Sequence, residues 1–136
     1  MTSSTDDPAA GSSARPGGRI LVVEDDPNIL RQIEFNLQAN GFEVETALTG
    51  AEALKCLMTR RPDLLITDIM MPEMDGYELV AALRNDEQLS DLPVIMLTAR
   101  TQDADITHGY TSGTDLYLTK PFNPNELISF VRRILR

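Results

Sequence analysis

No stretch of this 136-residue chain approaches the run of about 18 apolar residues that would cross a bilayer. No hydrophobic signal core opens it either, and the expectation from both absences is a cytoplasmic protein with no membrane partner. Cysteine is nearly missing. Cys56 alone excludes an internal disulfide, and its place in Ala53-Leu54-Lys55-Cys56-Leu57 reads as an inert, buried helical position. Histidine is reduced to His108, in a polar stretch where a solvent-facing ring is expected. Positive charge is scarce: 12 Lys and Arg stand against 21 Asp and Glu, for a net charge of −9. That balance disfavours direct contact with nucleic acid or an anionic membrane, which need a positive footprint. A glycine-rich phosphate loop is also lacking after the first apolar run, which removes the main support for a nucleotide or flavin site.

What is present is ordered. Residues 1–18 are rich in Ser, Gly, Pro and Ala and hold no large apolar side chain after Met1. Such a segment cannot bury enough surface to offset its ordering entropy, so it reads as a flexible tail before a domain at 19–136. Five short apolar runs follow: Arg19–Val23, Phe42–Ala47, Leu64–Thr67, Val94–Thr98 and Leu116–Leu118. Amphipathic stretches lie between them. The stripes are Ile29, Ile33, Leu37; then Ala51, Leu54, Leu57, Met58; then Leu79, Val80, Leu83; and finally Leu127, Val131, Ile134. A weaker helix is expected over 102–112. Asn40-Gly41 closes the first helix, and Thr49 and Asp75 are suited to cap the second and third. Alternating strands and helices, with strands this apolar, imply an α/β fold covered on both faces. Five such units predict a doubly wound, five-stranded parallel sheet of flavodoxin-like type, order 2-1-3-4-5, with five helices.

In that fold the carboxyl ends of the strands meet at a crevice where ligands bind. Four polar signals fall there: Glu24-Asp25-Asp26, Asp68, Thr98 and Lys120. Like charges about 5 Å apart, at an effective dielectric near 20, repel by about 3 kcal/mol. A hard divalent cation resolves that conflict, and Mg²⁺ suits a few carboxylates with waters and phosphate oxygens. The plainer reading makes the acids a cap for the helix starting near Pro27. Asp26 alone suffices for that. A carboxylate beside Mg²⁺ can attack an activated phosphoryl group, with a hydroxyl from Thr98 and the ammonium of Lys120 neutralising its oxygens.

The segments ILVVEDD, LLITDIMMPEMDG, PVIMLTA and DLYLTKPF together resemble the receiver domain of bacterial two-component response regulators. The resemblance runs from about Gly18 to Arg136, and the intervals between Asp25, Asp68, Thr98 and Lys120 match the family's. It implies that Asp68 is the phosphoacceptor, charged by a histidine kinase or histidine phosphotransfer protein. Glu24, Asp25, Asp68 and the backbone carbonyl of Met70 would hold Mg²⁺. Asp25-Asp26 remains an alternative acidic pair. Thr98 and Tyr117 would be the switch, Lys120 the phosphate contact, and Met70 and Arg100 modulators of phosphate lifetime. A cis peptide is expected at Lys120-Pro121. The surface of the 102–112 helix, the fifth strand and the last helix would act on a partner or linked output domain, or form a homodimer. There Leu116 and Phe130 stand where one subfamily has a salt bridge, so an apolar docking patch is expected, or else an extension of the core. Two alternatives are a phosphate-independent receiver and an Mg²⁺-dependent aspartyl-phosphate hydrolase. The hydrolase is disfavoured because its second acid, two residues after the nucleophile, is replaced by Met70.

Overall fold

The computed structural model describes residues 18–99 and 115–135. The expected tail (Gly18 apart), the 102–112 helix, Arg100 and His108 lie outside these. Five strands form one parallel sheet: β1 (Arg19–Val23), β2 (Glu43–Ala47), β3 (Leu64–Asp68), β4 (Val94–Thr98) and β5 (Leu116–Thr119). Their order is β2-β1-β3-β4-β5, as expected, and every pairing is parallel. Among the described residues four helices cover the sheet: α1 (Pro27–Ala39), α2 (Gly50–Thr59), α3 (Gly76–Arg84) and α4 (Pro124–Leu135).

Strand alternation divides the core in two. Leu21, Val23, Leu65 and Met96 point to one face and pack with Ala53, Leu57, Leu79 and Leu83. Ile20, Val22, Ile66 and Ile95 point to the other and pack with Ile33, Leu37, Leu127 and Val131. All residues of β1, β3 and β4 are buried, as central strands of a covered sheet should be. The edge strand β2 departs from the expected apolar run. It starts at Glu43 rather than Phe42, and three of its five residues are half-buried and a fourth exposed.

The helix ends obey local rules. Asp26 caps α1 by accepting from the amides of Asn28 and Ile29 at 2.9 and 3.4 Å. Gly41 follows α1 at φ 92°, a left-handed conformation that glycine adopts freely. Thr49 accepts from Glu52 N, and Asp75 with Glu78 forms a reciprocal capping box. The stripe of α2 differs from expectation. Its buried positions are Gly50, Ala53 and Leu57, whereas Ala51 is exposed and Met58 is 68% exposed. Cys56 is half-buried rather than buried, and desolvation, then the Glu45 charge, push its thiol up.

At the amino-terminal edge, the Arg19 side chain is only 5% exposed. Register places it opposite Glu43, and its guanidinium pairs with Glu45 and lies 3.5 Å from Glu43. It also donates to the carbonyl of Arg60 at 3.3 Å. Farther along, Arg84 gathers the turn before β4, donating to Ser90 O at 3.0 Å and Leu92 O at 2.8 Å. Asp115 accepts from Val94 N at 2.8 Å, which ties the start of β5 to β4.

Candidate phosphoryl-transfer site

Three strands run one residue past their ends before turning away. The amide of Glu24 donates to Ala47 O at 3.1 Å, Ile69 to Leu97 O at 3.0 Å and Lys120 to Thr98 O at 2.6 Å. Those bonds hold Glu24, Asp68 and Lys120 at one edge of the sheet. The peptide between Lys120 and Pro121 is cis, as expected.

Glu24 is 1% exposed and is gripped from two sides. Its Oε1 accepts from Lys120 Nζ at 2.7 Å and its Oε2 from the Asp26 amide at 3.1 Å. Lys120 Nζ also lies 3.3 Å from Asp68 Oδ1, so one ammonium is shared by two buried carboxylates. Asp25 is exposed and completes a group with Glu24 and Asp68 whose carboxylate oxygens lie within 4.8 Å of one another. Asp26 stands outside this group as the helix cap. Of the two acidic pairs left open by the sequence, Glu24 and Asp25 are the ones gathered around Asp68.

The electrostatics follow from burial. Desolvation raises the pKa of Asp68 above the ordinary 3.8, against the lowering effect of Lys120. Desolvation likewise raises Glu24, with the Asp68 charge adding to it and the Lys120 hydrogen bond opposing. Burial alone would lower Lys120, yet its hydrogen bond to Glu24 and the Asp68 charge leave it raised above 10.5. Among the described residues, three carboxylates stand against one ammonium, a surplus of negative charge at this edge. Closely spaced hard oxygen donors of this kind suit a divalent cation such as Mg²⁺.

Thr98 is buried at the end of β4, beside the strand that leads to Lys120. Tyr117 is half-buried on β5, and its hydroxyl lies 3.3 Å from that of Tyr77. Met70 is 66% exposed at the mouth of the site. Leu116 and Phe130 are half-buried and pack against the core on the α1 and α4 face, with Arg133 over the Phe130 ring at 5.4 Å. The core-extending reading describes their contacts.

Two neighbours of Asp68 escaped the sequence reading. Thr67, fully buried, donates its hydroxyl to Asp68 O at 3.1 Å. Gly76, read only as part of a helix start, packs its backbone against the same carbonyl. No pattern in the sequence announces either contact, because both depend on where α3 lands.

A doubly wound α/β domain with an acidic, lysine-bridged cluster at its strand ends is a class defined by fold and site together. Residues 20–132 match the response regulator receiver domain family, and the chain belongs to that family. The chain is 42% identical over 118 residues to the DNA-binding dual master transcriptional regulator RpaA of Synechocystis, covering 87% of this chain and 49% of that protein. It is likewise 42% identical over 118 residues to the alkaline phosphatase synthesis transcriptional regulatory protein PhoP of Bacillus subtilis, covering 87% of this chain and 48% of that protein. The chain thus spans about half the length of these curated relatives. Among solved structures it resembles the chemotaxis response regulator CheY4 of Vibrio cholerae, with a TM-score of 0.81 and 38% identity over 86% of this chain and 98% of that one.

Proposed function

We propose that this receiver domain is a phosphorylation-driven switch in which Asp68 accepts a phosphoryl group from a histidine kinase or histidine phosphotransfer protein. The observation that carries the reading is a buried carboxylate sharing a lysine with Glu24 inside a three-acid cluster. An oxygen of Asp68 forms the new bond to phosphorus as the P–N bond to the donor imidazole breaks. The imidazole leaves with its electron pair and takes up a proton. Lys120 is already within 3.3 Å of Asp68 and neutralises an oxygen of the incoming group. Thr98 donates to another oxygen, and Tyr117 follows its movement and reshapes the β5 surface.

Asp25, Asp68 and the Met70 carbonyl would hold Mg²⁺ directly, with Glu24 in support. Both Glu24 oxygens are engaged by Lys120 and the Asp26 amide, which favours Asp25 as the direct ligand. When bound, the cation supplies the positive charge that the cluster lacks and stabilises the transferring phosphoryl group. No acid stands two residues after Asp68, where Met70 is found, so the bond hydrolyses slowly and the domain is a switch rather than a turnover enzyme. The changed surface acts in the cytoplasm on a protein target or a linked output domain, and a homodimer through β5 and α4 is one form of that contact. RpaA and PhoP, each about twice as long and named as transcriptional regulators, make control of transcription the favoured output.

Incubation with acetyl phosphate and Mg²⁺, followed by intact-mass measurement, tests the reading. Wild type should gain one phosphoryl group, and Asp68→Asn none. An unmodified wild type would instead favour a receiver that works without phosphate.

A further inference from the structure

Thr67 immediately precedes Asp68, and its side chain is fully buried. Register pairs it with Val23 on one side and Met96 on the other, so its hydroxyl lies in an otherwise apolar row. A hydroxyl in such a place is unfavourable unless it is hydrogen-bonded, and valine would fill nearly the same space without that requirement. The bond it makes goes to the Asp68 carbonyl at 3.1 Å.

That carbonyl is also where α3 closes on the sheet. A Cβ on Gly76 would lie 2.5 Å from Asp68 O and 2.7 Å from Met96 Sδ. The Gly76 amide donates to Ile69 O at 2.8 Å, and the Ile69 amide donates to Leu97 O at 3.0 Å. The peptide groups just after the Asp68 side chain are therefore held by the neighbouring strand, by the start of α3 and by the Thr67 hydroxyl. The Thr67 bond is the one a substitution removes without touching the backbone.

We propose that Thr67 is a positioning residue for phosphoryl transfer. Its hydroxyl fixes the Asp68–Ile69 peptide against the backbone of Gly76, and so fixes the Asp68 carboxylate relative to Lys120, Glu24 and Asp25. The proposal rests on the reading of Asp68 as phosphoacceptor. Misplacement of a reacting group by about 1 Å can slow a reaction about 100-fold, so a partial loosening should slow it about 5- to 20-fold.

The test compares wild type, Thr67→Val, Thr67→Ser and Thr67→Ala by intact-mass time courses at fixed acetyl phosphate and Mg²⁺. Melting temperatures with and without Mg²⁺ give a readout independent of phosphorylation. The valine variant should be folded, slowed by the stated factor and less stabilised by Mg²⁺, whereas serine should stay near wild type on both measures. Should valine fail to fold, serine against alanine isolates the hydroxyl, since both lack the methyl group. Equal rates for valine and wild type would overturn the proposal, as would serine as slow as valine or alanine. A wild type that takes up no phosphoryl group would overturn the phosphoacceptor reading itself, a result distinct from a fast Thr67→Val.

Discussion

At the start of β1, Arg19 lies 5% exposed against Glu43 and Glu45, with Arg60 3.7 Å from Glu43. One residue past the end of the same strand, Glu24 lies 1% exposed against Lys120, with Asp68 and Asp25 close by. Each cluster has a buried ionic group at its centre, Arg19 in one and Glu24 with Asp68 in the other, which is unfavourable unless partners are well placed. In the first, Arg19 and Arg60 face Glu43 and Glu45, while the Asp63 carboxylate accepts from the Arg19 amide at 2.8 Å. Each of the three acids already has a partner in the protein, and the β1–β2 pairing together with the Arg60 carbonyl serves the guanidinium. The second is left negative. Its Glu24 and Asp68 carboxyls are raised by burial, and one lysine divides itself between them. A cluster whose charges are all partnered within the protein holds a fold together, whereas one whose acids share too few partners is a binding site for the missing charge.

Substitutions at the two ends of β1 should have different consequences. The largest stability effect is expected from Arg19→Ala, which takes the buried guanidinium away from Glu45 and Glu43 and leaves Arg60 beside Glu43. Both glutamates are partly exposed, so the loss should be about 2–3 kcal/mol rather than the full figure for a buried pair. Urea unfolding measures it, and Mg²⁺ should still stabilise the variant. Asp26→Ala removes the cap of α1 at about 1 kcal/mol and should leave phosphorylation by acetyl phosphate unchanged, which separates the third acid from the site. At the other end Asp68→Asn should act in the opposite sense. In the absence of divalent cations it should gain about 0.5–1 kcal/mol, because a crowded, desolvated charge has gone. Stability and function are opposed there.

The smallest effect is on pH dependence. Glu24 and Asp68 have raised folded pKa values, so their contribution to stability is fully present below the ordinary 4.5 and 3.8. It is lost as pH rises through the higher folded values. Lys120, raised above 10.5, contributes throughout this window and is lost only at more alkaline pH. The advantage of cation-free Asp68→Asn over wild type should therefore shrink as pH is lowered from neutrality toward the carboxylate range. Thermal melts across that range would show it, and a widening gap would contradict the assignment.

The functional edge was legible in the sequence because strand ends are marked by abrupt polarity. Asp68, Thr98 and Lys120 each terminate an apolar run, and a doubly wound fold brings such ends together. The Arg19 cluster was not legible. Arg19 reads as a strand boundary, and its partners on β2 become neighbours only through the register Arg19↔Glu43. Small residues hid the α2 stripe in the same way, since Gly50 and Ala53 carry little hydrophobic signal although both are buried, whereas Met58 carries much and is exposed. Thr67 and Gly76 escaped because close approach between α3 and β3 leaves no mark in composition.

Surplus negative charge at one end of β1 makes a cation site, and the partnered charges at the other end do not. An Mg²⁺ titration followed by amide NMR shifts, with melting temperatures on the same samples, tests it directly. Saturable shifts centred on residues 24–26 and 68–70 are expected, with a rising melting temperature and no response at Arg19, Glu43 or Glu45. A flat titration at the Asp68 edge, or an equal response at both ends, would contradict it.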